Sequence, residues 1–550
     1  MSAGSDGASL RPAGDAALLL QFPAHIDEAT SARAVAVAAQ VRAASLPGVR
    51  DVVPTYRSVA VHVDPLVADL RRVEDVLQAA GERAAPAPGR RLDVPVAYGG
   101  RDGPDVDAVA AWAGLPVAEV VARHAAPEYR VYMLGFTPGF PYMGTVDARI
   151  AMPRHDTPRV RVAAGSVGLA GAQTGIYPRP TPGGWQILGR TDVVAFDADR
   201  PEPFLFAPGD RVRFVPVPDV APEPPRSPAR GDADMLTATP GGTGRHLTVV
   251  RGGLLTTVQD LGRWGYQARG VSPAGPMDLV SHRVANLLVG NPRDAATIEV
   301  TILGPELRVE GGAVLAVTGA DLSATLDGDP LPLGRAVRAR DGAVVRFGDR
   351  RAGARAYVAM GGGVAAPAVL GSRATHVMSG LGGRPLRAGD RLPLGEPTGD
   401  PRPGTAPRMG LPRGGTRVRV LPGPQQEALD AETLDRLTAA RWYVTPASDR
   451  TGYRLAGAVD EPAARAAGGA MISDAAFPGG VQVLPSGQPV LLLADRQTTG
   501  GYPQGAIVIG ADLPLAGQLA PGDWIEFEPC SRRDAVAALV ALEGGLLALE

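Results

Sequence analysis

The sequence predicts a mainly β protein with an α+β part, in which compact β-barrels follow a small α/β domain. Two observations lead to this fold class. Among the 550 residues, 71 glycines and 53 prolines recur between short apolar runs and form no low-complexity tract, as in the turns of a barrel. The N-terminal stretch instead alternates strand-like and helix-like segments. With 45% hydrophobic residues, the chain can bury several cores.

The N-terminal part is expected to begin with a disordered lead at residues 1–13, followed by a small α/β domain at residues 14–92. Within that domain, apolar residues recur with the periods of strands and helices in turn. The order β-α-β-β-α-β is that of the ferredoxin-like unit. The predicted segments are residues 16–22, 29–44, 49–53, 58–63, 67–80 and 91–96.

The rest of the chain is predicted to be β-rich, with a few helices. The first barrel opens with two short helical stretches, and the C-terminal helix is expected to break or fray at Gly544-Gly545, because glycine is a poor helix former. In chain order, the expected parts are a first barrel at 93–217, a linker rich in Pro, Gly, Ala and charge at 218–245, a second β-rich region at 246–530 with a division near 410, and a C-terminal helix at 531–550.

Two repeated pieces indicate that the barrels are related. APGDRVRF at residues 207–214 recurs as APGDWIEF at 520–527, and QTGIYP at 173–178 recurs as QTTGGYP at 497–503. The Pro-Gly pair suits a type II turn that enters a last strand. Such turns also arise independently, but two pieces repeated in the same order favour a common origin.

Charge and composition exclude several classes of function. The formal net charge of −2 indicates neither nucleic-acid binding nor a polybasic membrane surface. All 55 basic residues are arginine, so these residues supply no Schiff-base, Walker or biotin-bearing lysine. Cys530 is the single cysteine, which excludes internal disulfides and a multi-cysteine zinc site.

Targeting and metal signals are absent from the sequence. The N-terminus has no apolar secretory core, and no run reaches the ~18 apolar residues of a membrane span. We therefore expect a cytoplasmic protein. The seven histidines are scattered without a metal-ligand spacing, so no metal site is predicted, and no GxGxxG supports a dinucleotide fold.

The densest candidate site lies between residues 129 and 191, where aromatic residues alternate with glycines that let backbone approach a ligand. Arg154, Arg159 and Arg190 have the fork geometry that holds a carboxylate or phosphate. Gln173 and Gln186 offer donors and acceptors, which suits an amide or lactam. The alternative is a tightly turned barrel whose arginines are solvated.

Further side chains in this segment are candidates for proton transfer or binding. His155 is a candidate general base. It stands next to Asp156, which could orient its imidazole, although adjacent residues seldom make that contact. Ser166 lies in AGSVG, whereas a nucleophile elbow requires a glycine at position 164 and a helix after the serine. A turn or a substrate-binding hydroxyl is therefore favoured for Ser166. For His124, a structural or capping role is expected.

The second region opens with a polar cluster. Gln259, Asp260 and Arg263 surround a glycine turn. Asp278 then opens a predicted helix, where an acidic residue is favoured by the helix dipole. Either capping or substrate binding accounts for Asp278.

A second polar cluster lies near the end of this region. Asp495, Arg496 and Gln497 follow an apolar run directly. A strand that ends in these residues before a glycine turn would point polar groups at the rim of a barrel, where ligands often bind. A solvated strand end is the alternative.

Three pieces of the first region, GFTPGFPYMG, AGSVGLAGAQTGIYP and PGGWQILGRT, resemble the B subunit of 5-oxoprolinase, the KipI or allophanate hydrolase subunit 1 family. This resemblance spans residues 14–217. The region 246–530 is similar to the C subunit, the KipA or allophanate hydrolase subunit 2 family, through TVQDLGRWGYQARGVSPAGPMD, NLLVGNP, GPEL, VTGAD and ADRQTTGGYP. Related domains form the carboxyltransferase part of urea carboxylase.

The resemblance implies a fold, a reaction and a partner. The fold implied is cyclophilin-like β-barrels with a small α/β domain ahead of the first. The reaction implied is the ATP-dependent opening of 5-oxo-L-proline to L-glutamate. The separate A subunit of 5-oxoprolinase would use the ATP, so no cofactor is expected on this chain. After ADRQTTGGYP the family usually continues with Lys or Arg, whereas Gln504 follows here; this departure bears on the substrate.

These residues lead to a hypothesis for the mechanism. An activated intermediate from the A subunit would reach the interface of the two halves. Donors there would stabilise charge on the tetrahedral oxygen, and Asp260 or Asp495 would position or deprotonate water. The donors expected from the resemblance and the residue types are Arg159, Gln173, Arg496 and Gln497.

Two other functions stay open. One is a biotin-dependent carboxyltransferase of urea-carboxylase type that acts on an amide, with a carrier on another chain. The other is a KipI-like regulator that binds a histidine kinase. A homo-oligomer also stays open, since nothing in the sequence determines the oligomeric state.

Overall fold

The computed structural model describes residues 7–23, 27–83, 85, 88–221, 244–404, 410–457 and 471–549. It contains a small α/β domain, a closed seven-stranded barrel, a region of two packed sheets and a second closed seven-stranded barrel. The prediction of a mainly β protein with barrels after a small α/β domain is confirmed. None of the helices in these ranges is both long and apolar enough to cross a bilayer.

The small domain is an antiparallel sheet with two helices on one face. Its elements are β1 (Ser9–Pro12), β2 (Ala17–Gln21), α1 (Glu28–Ala43), β3 (Val49–Pro54), β4 (Ser58–Val63) and α2 (Leu70–Arg83). The sheet order is β1-β2-β4-β3. The helices bury Val37, Val41, Val73 and Leu77 in the core beneath the sheet, and Asp27 caps α1 by accepting a hydrogen bond from Thr30 N at 2.8 Å.

Two details predicted for this domain are wrong. Residues 9–12, placed in a disordered lead, form β1, which pairs with β2 along its whole length; residues 1–6 lie outside the described residues. The strand predicted at 91–96 is β5 (Arg91–Tyr98), and it belongs to the first barrel, where it pairs in parallel with that barrel's last strand. Because an apolar strand fits either sheet, only the tertiary pairing decides between them. The N-terminal β1 therefore takes the edge position beside β2.

The first barrel and its helices occupy the rest of the N-terminal half, which we define as residues 7–221. Its elements after β5 are α3 (Val106–Ala113), α4 (Val117–Ala125), β6 (Glu128–Leu134), β7 (Pro141–Gly144), β8 (Arg159–Val162), β9 (Ser166–Ala170), β10 (Gln173–Ile176), β11 (Thr181–Gly183), β12 (Gln186–Arg190) and β13 (Arg211–Val217). The ring runs β5-β13-β6-β7-β10-β9-β12, and β8 pairs with β11 in a separate ribbon. Most of the predicted linker, residues 222–243, lies outside the described residues.

Two packed sheets open the C-terminal half, which we define as residues 244–549. Their elements are β14 (His246–Arg251), β15 (Leu255–Gln259), α5 (Leu279–Leu288), β16 (Thr297–Thr301), β17 (Glu306–Glu310), β18 (Ala313–Asp321), β19 (Thr325–Leu326), β20 (Asp329–Pro330), β21 (Ala336–Ala339), β22 (Val344–Arg346), β23 (Ala352–Met360) and β24 (Arg391–Pro393). One sheet has the order β20-β19-β22-β17-β14-β24 and the other β15-β16-β23-β18-β21. Both contribute to one core, for example through Val249, Val309, Ile298 and Val358.

The second barrel and a closing helix complete the half. The elements are β25 (Gly415–Pro422), a 3₁₀ turn (Gln426–Ala428), α6 (Ala431–Ala439), β26 (Trp442–Val444), β27 (Gly452–Ala456), β28 (Asp474–Ala475), β29 (Gly480–Val483), β30 (Pro489–Leu492), β31 (Thr499–Gly500), β32 (Gln504–Val508), α7 (Leu513–Gly517), β33 (Trp524–Pro529) and α8 (Arg532–Leu547). The predicted break at Gly544-Gly545 is wrong, because α8 continues through both glycines. Its Leu542 and Leu546 pack against the core beside α5, and this burial outweighs the low helix propensity of glycine.

The two barrels share one topology. The ring β5-β13-β6-β7-β10-β9-β12 corresponds strand for strand to β25-β33-β26-β27-β30-β29-β32, and the β8–β11 ribbon corresponds to β28–β31. Each PGD turn leads into the last strand, which pairs in parallel with the first. The predicted match of QTGIYP with QTTGGYP is wrong. Gln173 begins β10, whereas Gln497 comes after β30, the strand equivalent to β10. The segments in equivalent places are TPGGWQ at 181–186 and TTGGYPQ at 498–504.

The small domain is also joined to the second barrel. Its sheet face opposite the helices forms a shared core with that barrel, made of Ala13, Ala17, Leu19, Val53, Ala60, Ala475, Phe477 and Ile507. Gln21 Nε2 donates to Asp474 Oδ2 at 2.9 Å, and Gly510 N donates to Asp15 Oδ2 at 2.8 Å. The two halves are therefore interlocked.

Candidate functional site

The loop after β6 in the N-terminal half contacts the loop after β15 in the C-terminal half. Gly139 N donates to Arg269 O at 2.9 Å, and Leu134 and Arg269 form an isolated parallel bridge. Gly270 has a φ of +77°, and a Cβ on it would lie 2.7 Å from Thr137 O. The segments GFTPGFPYMG and TVQDLGRWGYQARG therefore touch where no side chain fits.

The same glycine loop reaches the second barrel. A Cβ on Gly135 would lie 2.2 Å from Oγ1 of Thr499 in β31. A Cβ on Gly380 would lie 3.7 Å from Nη2 of Arg179, so a loop of the C-terminal half also approaches the segment after β10. We call this meeting place the junction. Its segments are residues 135–142, 173–185, 267–270, 376–382 and 496–499.

Aromatic side chains line the junction on its N-terminal side. Phe140 packs edge to face against Tyr142, Tyr177 and Trp185, with ring centroids 4.9, 5.2 and 5.3 Å away. Burial raises the pKa of Tyr177 to about 12, so its hydroxyl stays protonated at neutral pH. These rings form one packed aromatic cluster beside the glycine loop.

Gln173, a predicted ligand-binding amide, is half-buried in a junction segment. Its Nε2 donates to Tyr56 OH at 2.6 Å. The Tyr56 ring lies 6.4 Å from that of Tyr142, and Ile472 of the second barrel packs into the same cluster. Gln173 therefore lies at a contact between the first barrel, the small domain and the second barrel; Gln497 is half-buried after β30.

Hydroxyl groups at the junction lack hydrogen-bond partners. In the part of the chain that the structure describes, Oγ1 of Thr498 and Oγ1 of Thr499 are buried and make no hydrogen bond. Buried polar groups in native proteins are nearly always paired. These two hydroxyls, which follow Gln497 directly, are therefore available to a ligand or to water.

Arg496 is a buried cation without a fixed counter-ion. Its Nη2 donates to Gln267 Oε1 at 2.6 Å and its Nε to Ala476 O at 3.2 Å. No carboxylate of the described ranges forms an ion pair with it. Burial lowers the pKa of Arg496 to about 10, and Asp51 partly offsets this. Because buried charges are normally paired, Arg496 is placed to bind an anion.

In the first barrel, Asp105 ties together two predicted site residues. Its Oδ1 accepts from Arg159 Nη2 at 2.5 Å, and its Oδ2 accepts from Ile187 N at 2.6 Å. His155 Nε2 lies 3.6 Å from Oδ2. The carboxylate that the structure places beside His155 is therefore Asp105 and not the adjacent Asp156. Arg159 is neutralised by Asp105, so it is not an unpaired donor.

Gln186 and Gln504 begin the equivalent strands β12 and β32. Gln186 Nε2 donates to Pro153 O at 2.9 Å, and its buried Oε1 has no partner among the described residues. Gln504 Nε2 donates to Ala475 O at 2.9 Å, and its Oε1 accepts from Phe477 N at 3.1 Å. Gln504 therefore ties backbone segments of the barrel together.

The cluster of Gln259, Asp260 and Arg263 holds the loop at residues 369–375. Asp260 accepts hydrogen bonds from Ser372 Oγ and Arg373 N, both at 2.5 Å. Gln259 Nε2 donates to the backbone oxygen of residue 375 at 3.0 Å, and Arg263 Nη2 donates to that of residue 374. We assign Asp260 to loop positioning, because its oxygens already accept these bonds. Gln259 Oε1 and Arg263 Nη1 stay unpaired within the described ranges.

Asp495 belongs to a buried ion network and is not placed as a base. Arg450 donates to Asp495 through Nε at 3.1 Å and Nη2 at 3.0 Å, and it also forms an ion pair with Glu299. Glu299 Oε2 accepts from Tyr357 OH at 2.8 Å. With its charge held by Arg450, Asp495 fixes the strand end that carries Arg496.

Asp278 is the N-cap of α5 and accepts a hydrogen bond from Ser281 N at 2.9 Å. It also accepts from Gln518 Nε2 at 2.7 Å. Burial raises the pKa of Asp278. Of the two explanations open for this residue, capping is the one that the structure shows.

Three other predicted residues lie outside the junction. Ser166 is buried at the start of β9, opposite Arg190 in β12; a strand follows it, so it is not a nucleophile elbow. Arg190 donates to Asp102 Oδ1 at 2.9 Å and to Ala221 O at 2.9 Å, which anchors the chain after β13. Arg154 is exposed.

Sequence reasoning missed the partners that lie far away along the chain. Asp105, Gln267 and Arg450 have no local pattern that marks them. Thr498 and Thr499 stand inside the piece ADRQTTGGYP, and their place after a strand end was the available signal. Within the described ranges, no group of three or more His, Cys, Asp or Glu side chains is arranged to hold a metal ion.

Two family models match the chain. The carboxyltransferase domain, subdomain C and D, matches residues 8–206, and the carboxyltransferase domain, subdomain A and B, matches residues 269–529. The 5-oxoprolinase C subunit of Escherichia coli K12 is 37% identical over 295 residues, which cover 53% of this chain and 94% of that protein. The 5-oxoprolinase B subunit of E. coli O157:H7 is 41% identical over 205 residues, which cover 37% of this chain and 93% of that protein.

Urea amidolyases and a solved structure are also similar. The urea amidolyase of Saccharomyces cerevisiae is 33% identical over 301 residues, which cover 51% of this chain and 16% of that protein. A crystal structure of a protein named TTHA0988 superposes with a TM-score of 0.83 at 37% identity, over 94% of this chain and 100% of that one. The chain therefore belongs to the carboxyltransferase-domain family of the 5-oxoprolinase B and C subunits, and it carries both in one polypeptide, the B part first.

Proposed function

We propose that this chain is the B plus C part of an ATP-dependent 5-oxoprolinase, which opens 5-oxo-L-proline to L-glutamate together with a separate A subunit. The similarity of each half to the corresponding subunit of known 5-oxoprolinases supports this. The partner that the proposal requires is that A subunit, which we call the ATP-using partner, and the location is the cytoplasm, where ATP is available.

The observation that carries the proposal is the junction itself. There GFTPGFPYMG of the N-terminal half meets QTTGG of the C-terminal half through Gly135 and Thr499. The Thr499 hydroxyl, which is buried and has no partner among the described residues, lies against this contact, and the buried Arg496 donates to Gln267 of a neighbouring junction segment. A lactam acid presents a carbonyl, an N–H group and a carboxylate, which such a set of polar groups can bind.

The chemistry divides between this chain and its partner. A lactam is a stable amide, and phosphorylation of its oxygen by ATP creates a leaving group. The 550 residues of this chain contain no lysine, so they supply no Walker lysine. In this proposal the partner subunit binds and uses the ATP. On this chain, Arg496, Gln497, Thr498 and Thr499 would bind the substrate and stabilise charge on its oxygen. His155 keeps its proposed role as a proton acceptor, with Asp105 beside it.

Reconstitution tests the proposal. The purified chain is assayed with 5-oxoproline and ATP, alone and with the ATP-using partner, and glutamate and ADP are measured. Glutamate should form only when both proteins and ATP are present. Turnover by this chain without the partner, or no turnover with it, would contradict the proposal.

A matched pair of variants tests the site. Thr499→Val removes a buried hydroxyl at the junction, and Thr445→Val removes one elsewhere in the second barrel; both hydroxyls lack partners in the described ranges. We expect Thr499→Val to lower kcat/KM by about tenfold, equivalent to ~1.4 kcal/mol, and Thr445→Val to leave it unchanged. Equal effects of the two variants would remove Thr499 from the site.

The similarity to urea amidolyase favours a second candidate. A urea amidolyase structure from K. lactis superposes on 57% of this chain with a TM-score of 0.52 at 30% identity. The chain would then transfer a carboxyl group from a biotin carrier on another polypeptide to an amide. Transfer of labelled bicarbonate in the presence of such a carrier, without glutamate formation, would identify this activity.

A further inference from the structure

We propose that Asp51, in the small N-terminal domain, is a positioning residue that holds Arg496 of the second barrel in place to bind the carboxylate of the substrate. This inference rests on the proposed function and extends it to a residue that is distant along the chain from the junction segments. It gives the small domain a part in substrate binding.

Asp51 is a buried carboxylate that belongs to β3 and reaches into the C-terminal half. It is 5% exposed. Its Oδ2 accepts hydrogen bonds from Gly265 N at 3.0 Å and Gln267 N at 2.9 Å. Burial raises its pKa, and the polar groups of Gln267 counteract that rise. Two backbone N–H groups of one loop therefore bind this carboxylate and fix the course of the loop.

Gln267 connects the Asp51 carboxylate to Arg496 through two hydrogen bonds. Gln267 is fully buried, and its Oε1 accepts from Arg496 Nη2 at 2.6 Å. The same residue therefore donates to the Asp51 carboxylate through its backbone N–H and accepts from the guanidinium through its side chain. A shift of the loop would carry the Gln267 acceptor away from the guanidinium.

The orientation of the Arg496 guanidinium depends on its hydrogen bond to Gln267, because no ion pair within the described ranges orients it. It is 2% exposed, and it also donates to the backbone oxygen of Ala476 at 3.2 Å. Arginine binds carboxylates through parallel N–H groups, so the orientation of its plane matters. A rotated guanidinium would lose its hydrogen bond to Gln267 and would present its N–H groups in a different direction.

The contrasting explanation is that Asp51 only joins two domains. Asp15 provides a matched control for that role. It is also a buried carboxylate of the small domain, and it accepts a backbone hydrogen bond from Gly510 N of the second barrel at 2.8 Å. Gly510 follows β32, whereas the loop that Asp51 binds lies at residues 265–267. Asp15 therefore also joins the small domain to the C-terminal half, at a different place.

The first experiment compares Asp51→Asn with Asp15→Asn in the full chain, reconstituted with the ATP-using partner. Asn keeps the shape of Asp but accepts hydrogen bonds more weakly. We expect Asp51→Asn to raise KM for 5-oxoproline by about tenfold with a smaller change in kcat, because binding of the substrate carboxylate is lost. Asp15→Asn should leave both parameters unchanged. A KM that is unchanged in Asp51→Asn, or raised equally in both variants, would overturn the proposal.

A double-mutant cycle with Arg496→Lys asks whether Asp51 acts through Arg496. If it does, the KM of the double variant should equal that of Arg496→Lys, because the orientation of a lost guanidinium no longer matters. Multiplied effects would mean an independent, structural role. Should Asp51→Asn fail to fold, Gln267→Leu breaks the same chain of contacts and enters the same cycle.

Binding to the chain alone separates this inference from the proposed function. Calorimetric titration with 5-oxoproline and with inorganic phosphate needs neither the ATP-using partner nor turnover. Asp51→Asn and Arg496→Lys should weaken binding of the anion alike, while Asp15→Asn should not. Absence of glutamate formation by the wild-type assembly would refute the function only, whereas failure of the wild-type chain to bind either anion would refute the role of Arg496.

Discussion

Replacement of Arg450 by methionine should destabilise the second barrel more than removal of either carboxylate that it binds. The Arg450 side chain is 3% exposed, and those of Glu299 and Asp495 are 1% and 4% exposed. Arg450→Met leaves two buried carboxylates without a cation. Removal of one partner from a buried ion pair costs about 3–5 kcal/mol. For a cooperative unfolding unit of roughly 150–250 residues, this loss of stability corresponds to a fall in Tm of about 6–20 °C.

Asp495→Asn provides the contrast, because the network holds one cation and two anions. Loss of the Asp495 charge leaves Arg450 paired with Glu299, so its cost should be smaller. Calorimetric melting of the purified variants measures both effects, with Arg213→Met, which breaks the exposed pair with Asp93, as a control that should leave Tm unchanged. If Asp495→Asn melted below Arg450→Met, or Arg450→Met melted at the wild-type temperature, the assignment of Asp495 to this network would be refuted.

Three other outcomes follow from the structure. Gly135→Ala places a methyl group against the Thr499 hydroxyl. Because this overpacks a tight contact, the variant should lower kcat/KM, measured with the ATP-using partner, by about tenfold. The control Gly544→Ala lies in open space on α8 and should keep full activity while it stabilises the helix by about 0.5–1 kcal/mol. Between pH 6.5 and 5 the free energy of unfolding should fall on acidification by up to about 4 kcal/mol per pH unit for three sites, and a rise in Tm over that range would contradict this. The reason is that burial lowers the histidine pKa to about 3 for His62, about 3 for His124 and about 4 for His282, so the unfolded chain takes up protons that the folded chain does not. The N-terminal half expressed alone should aggregate unless the C-terminal half is co-expressed, because the sheet face of the small domain would be exposed; a monomeric, stable half in sedimentation experiments would count against the shared core.

The candidate site could be predicted in part. Gln173, Arg496 and Gln497, which residue type and the glycine-rich pieces around them mark as candidates, lie in segments of the junction, and their roles stay predictions. Asp495 could not be assigned correctly, because its partner Arg450 lies 45 residues away and Glu299 is 151 residues from Arg450. Ion pairs between distant residues leave no local pattern, and a carboxylate beside a strand end looks the same whether it is paired or available.

The division of roles between neighbouring carboxylates also depended on tertiary contacts. For His155 the sequence offers Asp156, whereas the structure brings Asp105 beside it. For Asp260 a loop more than a hundred residues away occupies the carboxylate. In each case the sequence identifies the side chain, but tertiary packing determines its hydrogen-bond partner.

The sequence by itself determined the class of the fold, the two related barrels and the family, because turn residues, strand periodicity and the long glycine-rich pieces are local properties of the chain. It also determined that these 550 residues contain no lysine, and therefore no Walker lysine. Only the tertiary structure decided that β1 and not β5 completes the small sheet, that this sheet packs on the second barrel, and that Asp51 and Arg496 are linked through Gln267. These are pairings between segments that are mostly distant along the chain, and their free energy depends on which surfaces meet, which no local pattern of residues encodes.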